Sequence, residues 1–281
     1  MEKQRVAVLG AGLLGAGFVE KCLESGHDVC VWNRTAARLA PLTARGATAA
    51  ASPAEAVAGA SRVHLVLAED AAVDAVMAAA RAGLGQNVPV FDHSTNLPAA
   101  VALRFLRLRA EGVRYLHCPV FMAPANARQG TGVMLLAGPA ADAAELTPLL
   151  QSMCTEVWFV GERPELAAIY KLLGNGLLIS IVAAVGDALT MGAAAGVDAN
   201  GLNELFAHFN PGTMLPYYAK RVARSDKSEA TFTLEMARKD VRLMSELGGA
   251  RLKVLPAVAA AMDKAIDEGA ALKDFACFAK T

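Results

Sequence analysis

Two polar side chains stand in an otherwise apolar stretch of this 281-residue sequence. Lys171 and Asn175 are four residues apart, and a helix places such residues on the same face, one turn apart. A lysine beside an apolar helix can simply extend its amine to solvent, but the neighbouring Asn175 favours burial of both groups against polar partners. Because burial lowers the pKa of a lysine towards neutrality, Lys171 could exchange a proton with an alcohol or carbonyl oxygen.

A second group of residues could hold a phosphate. The apolar run from Val6 to Leu9 leads directly into a glycine-rich turn and then into a helical pattern, and the turn reads Gly10-Ala11-Gly12-Leu13-Leu14-Gly15. Gly10 permits the sharp turn, Gly12 lets a pyrophosphate approach the N–H groups at the helix start, and Gly15 lets helix and strand pack closely. A further apolar run from Val29 to Trp32 completes a βαβ unit, so the pattern predicts dinucleotide binding.

The residues after the second strand indicate which dinucleotide. Proteins that bind NAD usually carry Asp or Glu there, whereas this chain carries Asn33, Arg34 and Thr35. A guanidinium can pair with the extra phosphate of NADP, and the threonine hydroxyl can donate a further hydrogen bond. The alternative is that Arg34 is a solvated loop residue and Asn33 a turn former. The sequence favours NADP as the cofactor.

The composition limits the other functions that the chain could have. The length favours two domains, and equal numbers of acidic and basic residues, 27 each, give no net charge. We therefore expect small molecules and further copies of the chain as partners, rather than nucleic acid or a membrane. Five scattered cysteines indicate reduced thiols, and five histidines without helical spacing give no metal site. The polar N-terminal residues lack the apolar core of a signal peptide, so we expect a cytoplasmic protein.

The order of apolar runs predicts an α/β fold with a doubly wound, mostly parallel sheet. Strand-like runs alternate with alanine-rich helical segments as far as Val160, which is typical of this class. Ligands of such sheets bind beyond the carboxyl ends of the strands, here at Ala68-Glu69-Asp70 and Asp92-His93-Ser94-Thr95. We therefore place a dinucleotide-binding domain at residues 1–162.

The rest of the chain, residues 163–281, reads as an all-helical domain. It begins with a proline-free helical pattern from about Glu165 to Ala195, and a break follows at Asn210-Pro211-Gly212. The long segment is apolar enough to raise the question of a membrane span. Asn175 and Asp187 within it favour instead a buried helix that is packed closely by other helices.

These motifs resemble the β-hydroxyacid dehydrogenase family, which includes 3-hydroxyisobutyrate dehydrogenase and NADPH-dependent glyoxylate and succinic semialdehyde reductases. The resemblance covers essentially the whole chain. Beyond the glycine turn and Asn33-Arg34-Thr35, the matching elements are Leu67-Ala68-Glu69-Asp70, Asp92-His93-Ser94-Thr95, Lys171-Leu172-Leu173-Gly174-Asn175 and Lys239-Asp240.

The resemblance implies a role for each matching residue. Lys171 would be the proton donor and acceptor, and Asn175 would position the reacting oxygen. The cofactor would contact Leu67, Ala68, Thr95 and Lys239, with Lys239 near the nicotinamide end. Asp240 would orient Lys239 and contact the substrate. The implied fold is a Rossmann domain followed by a long helix and an all-α domain like the C-terminal domain of 6-phosphogluconate dehydrogenase, assembled as a homodimer or homotetramer.

The substrate element departs from the family pattern. The family usually shows Asp-x-Pro-Val-Ser-Gly-Gly, whose serine and glycines hold a carboxylate, whereas this chain has Phe121, Met122 and Ala123 at the last three positions. This run resembles the Ile-Met-Ala run of imine reductases, which generally carry Asp or Tyr in place of Lys171. We therefore expect an NADPH-dependent carbonyl or β-hydroxyacid oxidoreductase. The alternatives are an imine reductase and, given the retained Lys171, less readily a non-catalytic NADP-binding protein.

Overall fold

The computed structural model describes residues 3–225 and 230–280. The chain divides into two compact units, Met1–Asn175 and Gly176–Thr281, and the division falls inside one 29-residue helix. Each unit is described by itself below.

A six-stranded parallel sheet forms the centre of the first unit. Its strands are β1 (Arg5–Leu9), β2 (Asp28–Trp32), β3 (Thr48–Ala49), β4 (Arg62–Leu65), β5 (Pro89–Asp92) and β6 (Arg114–His117). They lie in the order β3-β2-β1-β4-β5-β6, and every neighbouring pair is parallel. This is the strand order of a Rossmann fold, whose ligands bind where the order reverses, between β1 and β4. The predicted fold class is confirmed.

Helices cover both faces of this sheet. They are α1 (Leu13–Glu24), α2 (Ala40–Thr43), α3 (Pro53–Val57), α4 (Asp70–Ala80), α5 (Pro98–Ala110), α6 (Pro124–Gln129) and α7 (Ala140–Leu150). Successive residues of β1 point to opposite faces, as the period of a strand requires. Val6 and Val8 join a buried cluster around Phe18 of α1, whereas Ala7 and Leu9 join a second cluster with Val73 of α4.

The last three strands of the first unit form a separate sheet, which the sequence pattern does not indicate. They are β7 (Val120–Phe121), β8 (Val133–Ala137) and β9 (Glu156–Gly161), with β7 and β8 antiparallel and β8 and β9 parallel. Pro119 lies between β6 and β7 and has no N–H to donate, so the ladder of the first sheet cannot continue through it. Its carbonyl accepts instead from Leu135 N at 2.8 Å.

The long helix α8 (Leu166–Ala194) carries the chain into the second unit, whose described residues form helices joined by turns and loops. The further helices are α9 (Ala199–His208), α10 (Leu215–Arg224), α11 (Leu234–Gly248) and α12 (Leu255–Ala265). The predicted break is confirmed as a 3-10 turn at Pro211–Met214 between α9 and α10. Gly196, two residues after α8, has the left-handed φ of 78° that favours glycine.

The expectation that this helix is buried is wrong for the single chain. The helix is long and apolar enough to cross a membrane by length and composition, and only 6% of its most apolar window is buried. Its large apolar side chains in the middle of the helix are between 48% and 68% exposed: Leu173, Leu177, Leu178, Ile179 and Val182. The two polar residues that suggested burial have partners nonetheless: Asn175 Oδ1 accepts from Lys171 Nζ in the same helix, and Asp187 accepts from backbone N–H groups of residues 253–255.

Asp187 shows how such a polar residue is satisfied in the second unit. Its carboxylate is 3% exposed and accepts hydrogen bonds from the backbone N–H groups of Lys253, Val254 and Leu255 at 2.7 to 3.0 Å. These N–H groups lie at the start of α12, where a helix has no internal acceptors for them. Burial acts to raise the pKa of Asp187, but the three hydrogen bonds outweigh it and hold the pKa below the ordinary value of 3.8.

Replacing this carboxylate should destabilise the second unit. We expect Asp187→Ala to lower the free energy of unfolding by about 2–3 kcal/mol at neutral pH, because a charged acceptor of three bonds is lost. Since the folded pKa is depressed, the contribution exists above the unfolded pKa and disappears as the pH falls through the folded value. Denaturant unfolding at pH 7 and below pH 4 measures both effects.

The matched control for this experiment is Asp198→Ala. Asp198 is exposed at the start of α9 and accepts from a single backbone N–H, that of Gly201 at 3.0 Å, and from the exposed Asn200 Nδ2 at 3.4 Å. We expect its loss to cost about 1 kcal/mol or less. Equal losses for the two variants at neutral pH would contradict the role given to Asp187.

Candidate functional site

A cavity of about 660 Å³ lies at the carboxyl ends of the strands where the strand order reverses. Ten of the predicted cofactor-binding residues line it: Gly10, Gly12, Leu13, Leu14, Asn33, Arg34, Thr35, Leu67, Ala68 and Thr95. Gly15 does not line the cavity, but it shapes the turn that does. The structure therefore brings these residues together in one cavity, and their contact with a cofactor stays a prediction.

The glycine turn has the form that a phosphate requires. Gly10 has a φ of 111°, and a Cβ there would stand 2.2 Å from Val66 O. A Cβ on Gly15 would stand 2.0 Å from Gly10 O, so neither position admits a side chain. A Cβ on Gly12, by contrast, would meet nothing within 4 Å, which leaves that face of the backbone open.

The start of α1 supplies the hydrogen-bond donors for a phosphate. The first intrahelical bond runs from Ala16 N to Gly12 O, which leaves the N–H groups of Gly12 to Gly15 without partners inside the helix. No acidic residue lies in the first turn of α1, so the positive end of the helix dipole is not neutralised. These residues fit the pyrophosphate of a dinucleotide.

The segment after β2 adds two guanidinium groups to the cavity. Asn33 Oδ1 accepts from Ala11 N at 2.9 Å, and its Nδ2 donates to Thr35 O at 2.9 Å, so Asn33 joins the glycine turn to this segment. Arg34 and Arg38 both line the cavity and are both exposed. Sequence reasoning missed Arg38, which lies in the short 3-10 helix Ala36–Leu39 that follows Arg34.

The loops after β4 and β5 are held together by a buried carboxylate. Asp92 is fully buried and accepts from Ser94 N at 3.0 Å, Asn96 Nδ2 at 2.9 Å and Tyr115 Oη at 2.7 Å. Burial acts to raise the pKa of Asp92, but these bonds and the neighbouring His117 imidazole lower it overall. Ser94 Oγ in turn accepts from Leu67 N at 3.0 Å, which fixes one cavity wall against the other.

Ten further residues line the cavity without having been predicted to bind the cofactor, although Glu69, His93 and Ser94 belong to the two segments expected beyond the strand ends. They are Trp32, Pro53, Val66, Glu69, Ala72, Ala75, Val76, Ala79, His93 and Ser94. Four of them, Ala72, Ala75, Val76 and Ala79, are small or apolar residues of α4, and only their position in the fold reveals their role. Among the described residues no group of three or more His, Cys, Asp or Glu side chains could hold a metal ion, and all five cysteines are unpaired.

Lys171 and Asn175 form a second cluster in the first unit, outside the lining of this cavity. The Lys171 ammonium donates to Val120 O at 2.6 Å and to Asn175 Oδ1 at 3.0 Å. Both side chains are half-buried, and burial lowers the pKa of Lys171. Because Asn175 Oδ1 faces the ammonium, its Nδ2 remains as a donor towards other groups.

The predicted substrate element lies beside this lysine. The Phe121 ring faces the Lys171 ammonium, with 4.6 Å between Nζ and the ring centroid. Met122 packs on Gly132, where a Cβ would stand 2.7 Å from Met122 Cγ. The Ala123 N–H donates to Asn126 Oδ1 at 2.9 Å, so this N–H is already occupied.

Lys239 and Asp240 lie in α11 of the second unit, and their side chains form an ion pair of 2.9 Å with each other. Lys239 is exposed and Asp240 is half-buried. Their roles towards cofactor and substrate stay predictions.

The first unit matches a known domain along almost its whole length. A sequence profile described as the NAD binding domain of 6-phosphogluconate dehydrogenase matches residues 5–161. This is more than half of the chain.

Individual proteins extend the likeness to the whole chain. An uncharacterized oxidoreductase of Bacillus subtilis, YfjR, is 27% identical over 243 residues, which cover 85% of each chain. The chloroplastic glyoxylate/succinic semialdehyde reductase 2 of Arabidopsis thaliana is 28% identical over 91% of this chain and 72% of its own. In three dimensions, an imine reductase of Streptomyces aurantiacus superposes with a TM-score of 0.87 at 24% identity and covers 98% of each chain.

The structural likeness confirms the fold, and the profile together with the glycine turn, the cavity and the ordered motifs identifies the family. The chain therefore belongs to the β-hydroxyacid dehydrogenase family of NAD(P)-binding oxidoreductases, which share the NAD binding domain of 6-phosphogluconate dehydrogenase.

Proposed function

We propose that the protein is an NADPH-dependent reductase that transfers a hydride between the nicotinamide and a carbonyl or β-hydroxyacid-type substrate. The observation that carries this proposal is the half-buried Lys171 ammonium, held on Val120 O and Asn175 Oδ1 in a chain that also has a dinucleotide cavity. A non-catalytic NADP-binding protein would not need such a lysine.

The preference for NADP rests on the charges beside β2. Arg34 and Arg38 line the cavity, and no carboxylate stands between Asn33 and Leu39 to accept hydrogen bonds from the ribose of NAD. Two guanidinium groups can pair with a phosphate dianion, whereas they gain little from a ribose hydroxyl. Thr95 and Lys239 would make further contacts with the cofactor, and Asp240 would orient Lys239.

Lys171 supplies the proton that must accompany the hydride. When bound, the cofactor supplies the hydride to the carbon of the reacting bond. The Lys171 ammonium donates a proton to the oxygen of that bond, and burial makes this easier because it lowers the pKa of the lysine. Asn175 Nδ2, which is not needed by the lysine, would hold the same oxygen.

The substrate proposed here carries an apolar group near its reacting carbon. Phe121 offers no hydroxyl, Met122 fills the space beside Gly132, and the Ala123 N–H is used by Asn126. A carboxylate would therefore find few donors beside Phe121, Met122 and Ala123, which together form an apolar corner. Imine reduction is the second candidate, and the same apolar corner favours it, since an imine brings no carboxylate.

The exposed apolar face of α8 supports an oligomer. An isolated chain would expose Leu173, Leu178 and Ile179 to water at a considerable free-energy cost. A second copy of the chain is a better cover than a lipid bilayer, because Lys171 and Asp187 in this helix would be costly there. We therefore propose a homodimer or homotetramer in the cytoplasm, with residues 1–162 for the cofactor and residues 163–281 for substrate and assembly.

The first prediction concerns cofactor choice. NADPH should bind at least about tenfold more tightly than NADH, a difference of about 1.4 kcal/mol, because Arg34 and Arg38 face the extra phosphate. Arg34→Asp should remove or reverse the preference. Fluorescence titration with both cofactors measures it, and Arg163→Asp, which changes an exposed arginine outside the cavity, is the matched control. Equal native affinities would contradict the proposal.

The second prediction concerns proton transfer. Lys171→Ala should lower the rate roughly 10²- to 10⁴-fold and leave NADPH binding nearly unchanged, because a positioned general acid is lost. Asn175→Ala should cost less. In the native protein, reduction should fall as the pH rises through the lowered pKa of Lys171, since the amine cannot donate. Steady-state rates against pH test this, with Lys264→Ala as a surface control. A native rate in Lys171→Ala would rule out the role.

The third prediction concerns the apolar corner. Aldehydes, ketones or imines with a hydrophobic group should be reduced with higher kcat/KM than glyoxylate or 3-hydroxyisobutyrate-type acids, because the corner forgoes about 1.5–3 kcal/mol of charge-assisted hydrogen bonding. Phe121→Ser combined with Met122→Gly should shift the preference towards the acids. The measurement is the ratio of kcat/KM for one acid and one uncharged analogue in both proteins. A native protein that prefers the acid would refute this account of the pocket.

A further inference from the structure

The ring of Phe121 lies against the Lys171 ammonium, and neither an apolar side chain nor a substrate contact requires this geometry. Val120 and Phe121 form the two-residue strand β7, and both residues contact the same lysine. Val120 offers its carbonyl at 2.6 Å, and Phe121 offers its ring, whose centroid is 4.6 Å from Nζ. The ammonium therefore lies between a carbonyl and an aromatic face that are supplied by consecutive residues.

Gly174 provides the space for this ring. A Cβ at position 174 would stand 2.4 Å from Phe121 Cζ and 2.7 Å from Cε1, so any other residue would displace the tip of the ring. Gly174 lies in α8 between Lys171 and Asn175, and helical spacing puts it beside both. The glycine in the Lys-x-x-x-Asn motif of this chain therefore leaves the space that the Phe121 ring occupies.

We infer that Phe121 is a positioning residue, whose ring stabilises the Lys171 ammonium by a cation–π contact and holds it against Val120 O, with Gly174 as the notch that admits the ring. The significance of this contact for catalysis rests on the proposed function, because it matters only if Lys171 is the proton donor. The contact itself does not depend on the substrate.

The surroundings of Lys171 make this contact measurable. In the described residues of the first unit, no carboxylate forms a salt bridge with Lys171, and the groups that face its ammonium are Val120 O, Asn175 Oδ1 and the ring. None of these titrates. Burial favours the neutral amine, whereas the negative face of the ring favours the ammonium. Reducing the negative charge on the ring face should therefore lower the pKa of Lys171 further.

The experiment replaces Phe121 with 2-fluoro- and 2,6-difluorophenylalanine in the full chain without substrate. Fluorine withdraws charge from the ring face but hardly changes its shape, and the 2 and 6 positions point away from the ring tip that meets Gly174. Lysines labelled with ¹³C at Cε report the pKa by NMR, and the signal absent from Lys171→Arg identifies Lys171. We expect the pKa to fall stepwise, by about half to one pH unit in total. An unchanged or raised pKa would overturn the inference.

A second readout tests the geometry with ordinary substitutions. A ring face above the side chain shifts the Lys171 Cε protons upfield, and this shift should disappear in Phe121→Leu and in Gly174→Ala. Gly176→Ala is the matched control, since it adds the same methyl group to the same helix but meets nothing within 4 Å. Retention of the shift in Gly174→Ala would overturn the role of the notch.

The same variants separate this inference from the proposed function. If Lys171 is the proton donor, the basic limb of the kcat profile should move with the pKa measured by NMR. A pKa that moves with fluorination while the kcat profile stays fixed would uphold the contact and contradict the proton-transfer role. A pKa that stays fixed would contradict the contact, whatever the kinetics show.

Discussion

The close approach of β1, α1 and the chain after β4 is the constraint on which the cofactor cavity depends. Gly10 and Gly15 leave no room for a Cβ, because carbonyl oxygens occupy the space at 2.2 and 2.0 Å. A side chain at either position would push α1 away from the sheet edge, and its unpaired N–H groups would move with it. The bond from Ala11 N to Asn33 Oδ1 then brings the arginine segment to the same turn.

The Rossmann fold was predictable because its signals are local. A strand, a glycine turn and an amphipathic helix are each encoded by residues near one another in sequence, and parallel strands follow from their alternation with helices. The separate sheet of β7, β8 and β9 was not predictable in this way. Its strands are as apolar as those of the first sheet. Pro119 interrupts the hydrogen bonding of the first sheet only because of the strand that it lies beside, and the sequence does not show which strands are neighbours.

In the candidate site, too, local contacts were predictable from the sequence and long-range contacts were not. The i, i+4 spacing of Lys171 and Asn175 was enough to predict their contact, which the structure confirms at 3.0 Å. The carbonyl of Val120, 51 residues away in sequence, gave no signal at all, because a backbone acceptor has no residue type. Burial of α8 was expected from Asn175 and Asp187, but polar residues within an apolar helix cannot distinguish burial within one chain from burial against another molecule.

The role proposed for Lys171 requires a balance that no single contact could supply. Burial alone would favour a neutral amine, which lacks the proton that the proposed reaction needs. The Val120 carbonyl, the Asn175 amide oxygen and the ring of Phe121 alone would favour an ammonium that releases its proton reluctantly. Burial lowers the pKa of Lys171, and these contacts act in the opposite direction. By the inference made above, the ring of Phe121 acts on the ammonium side of this balance, so the identity of residue 121 would tune the lysine even without contact with a substrate.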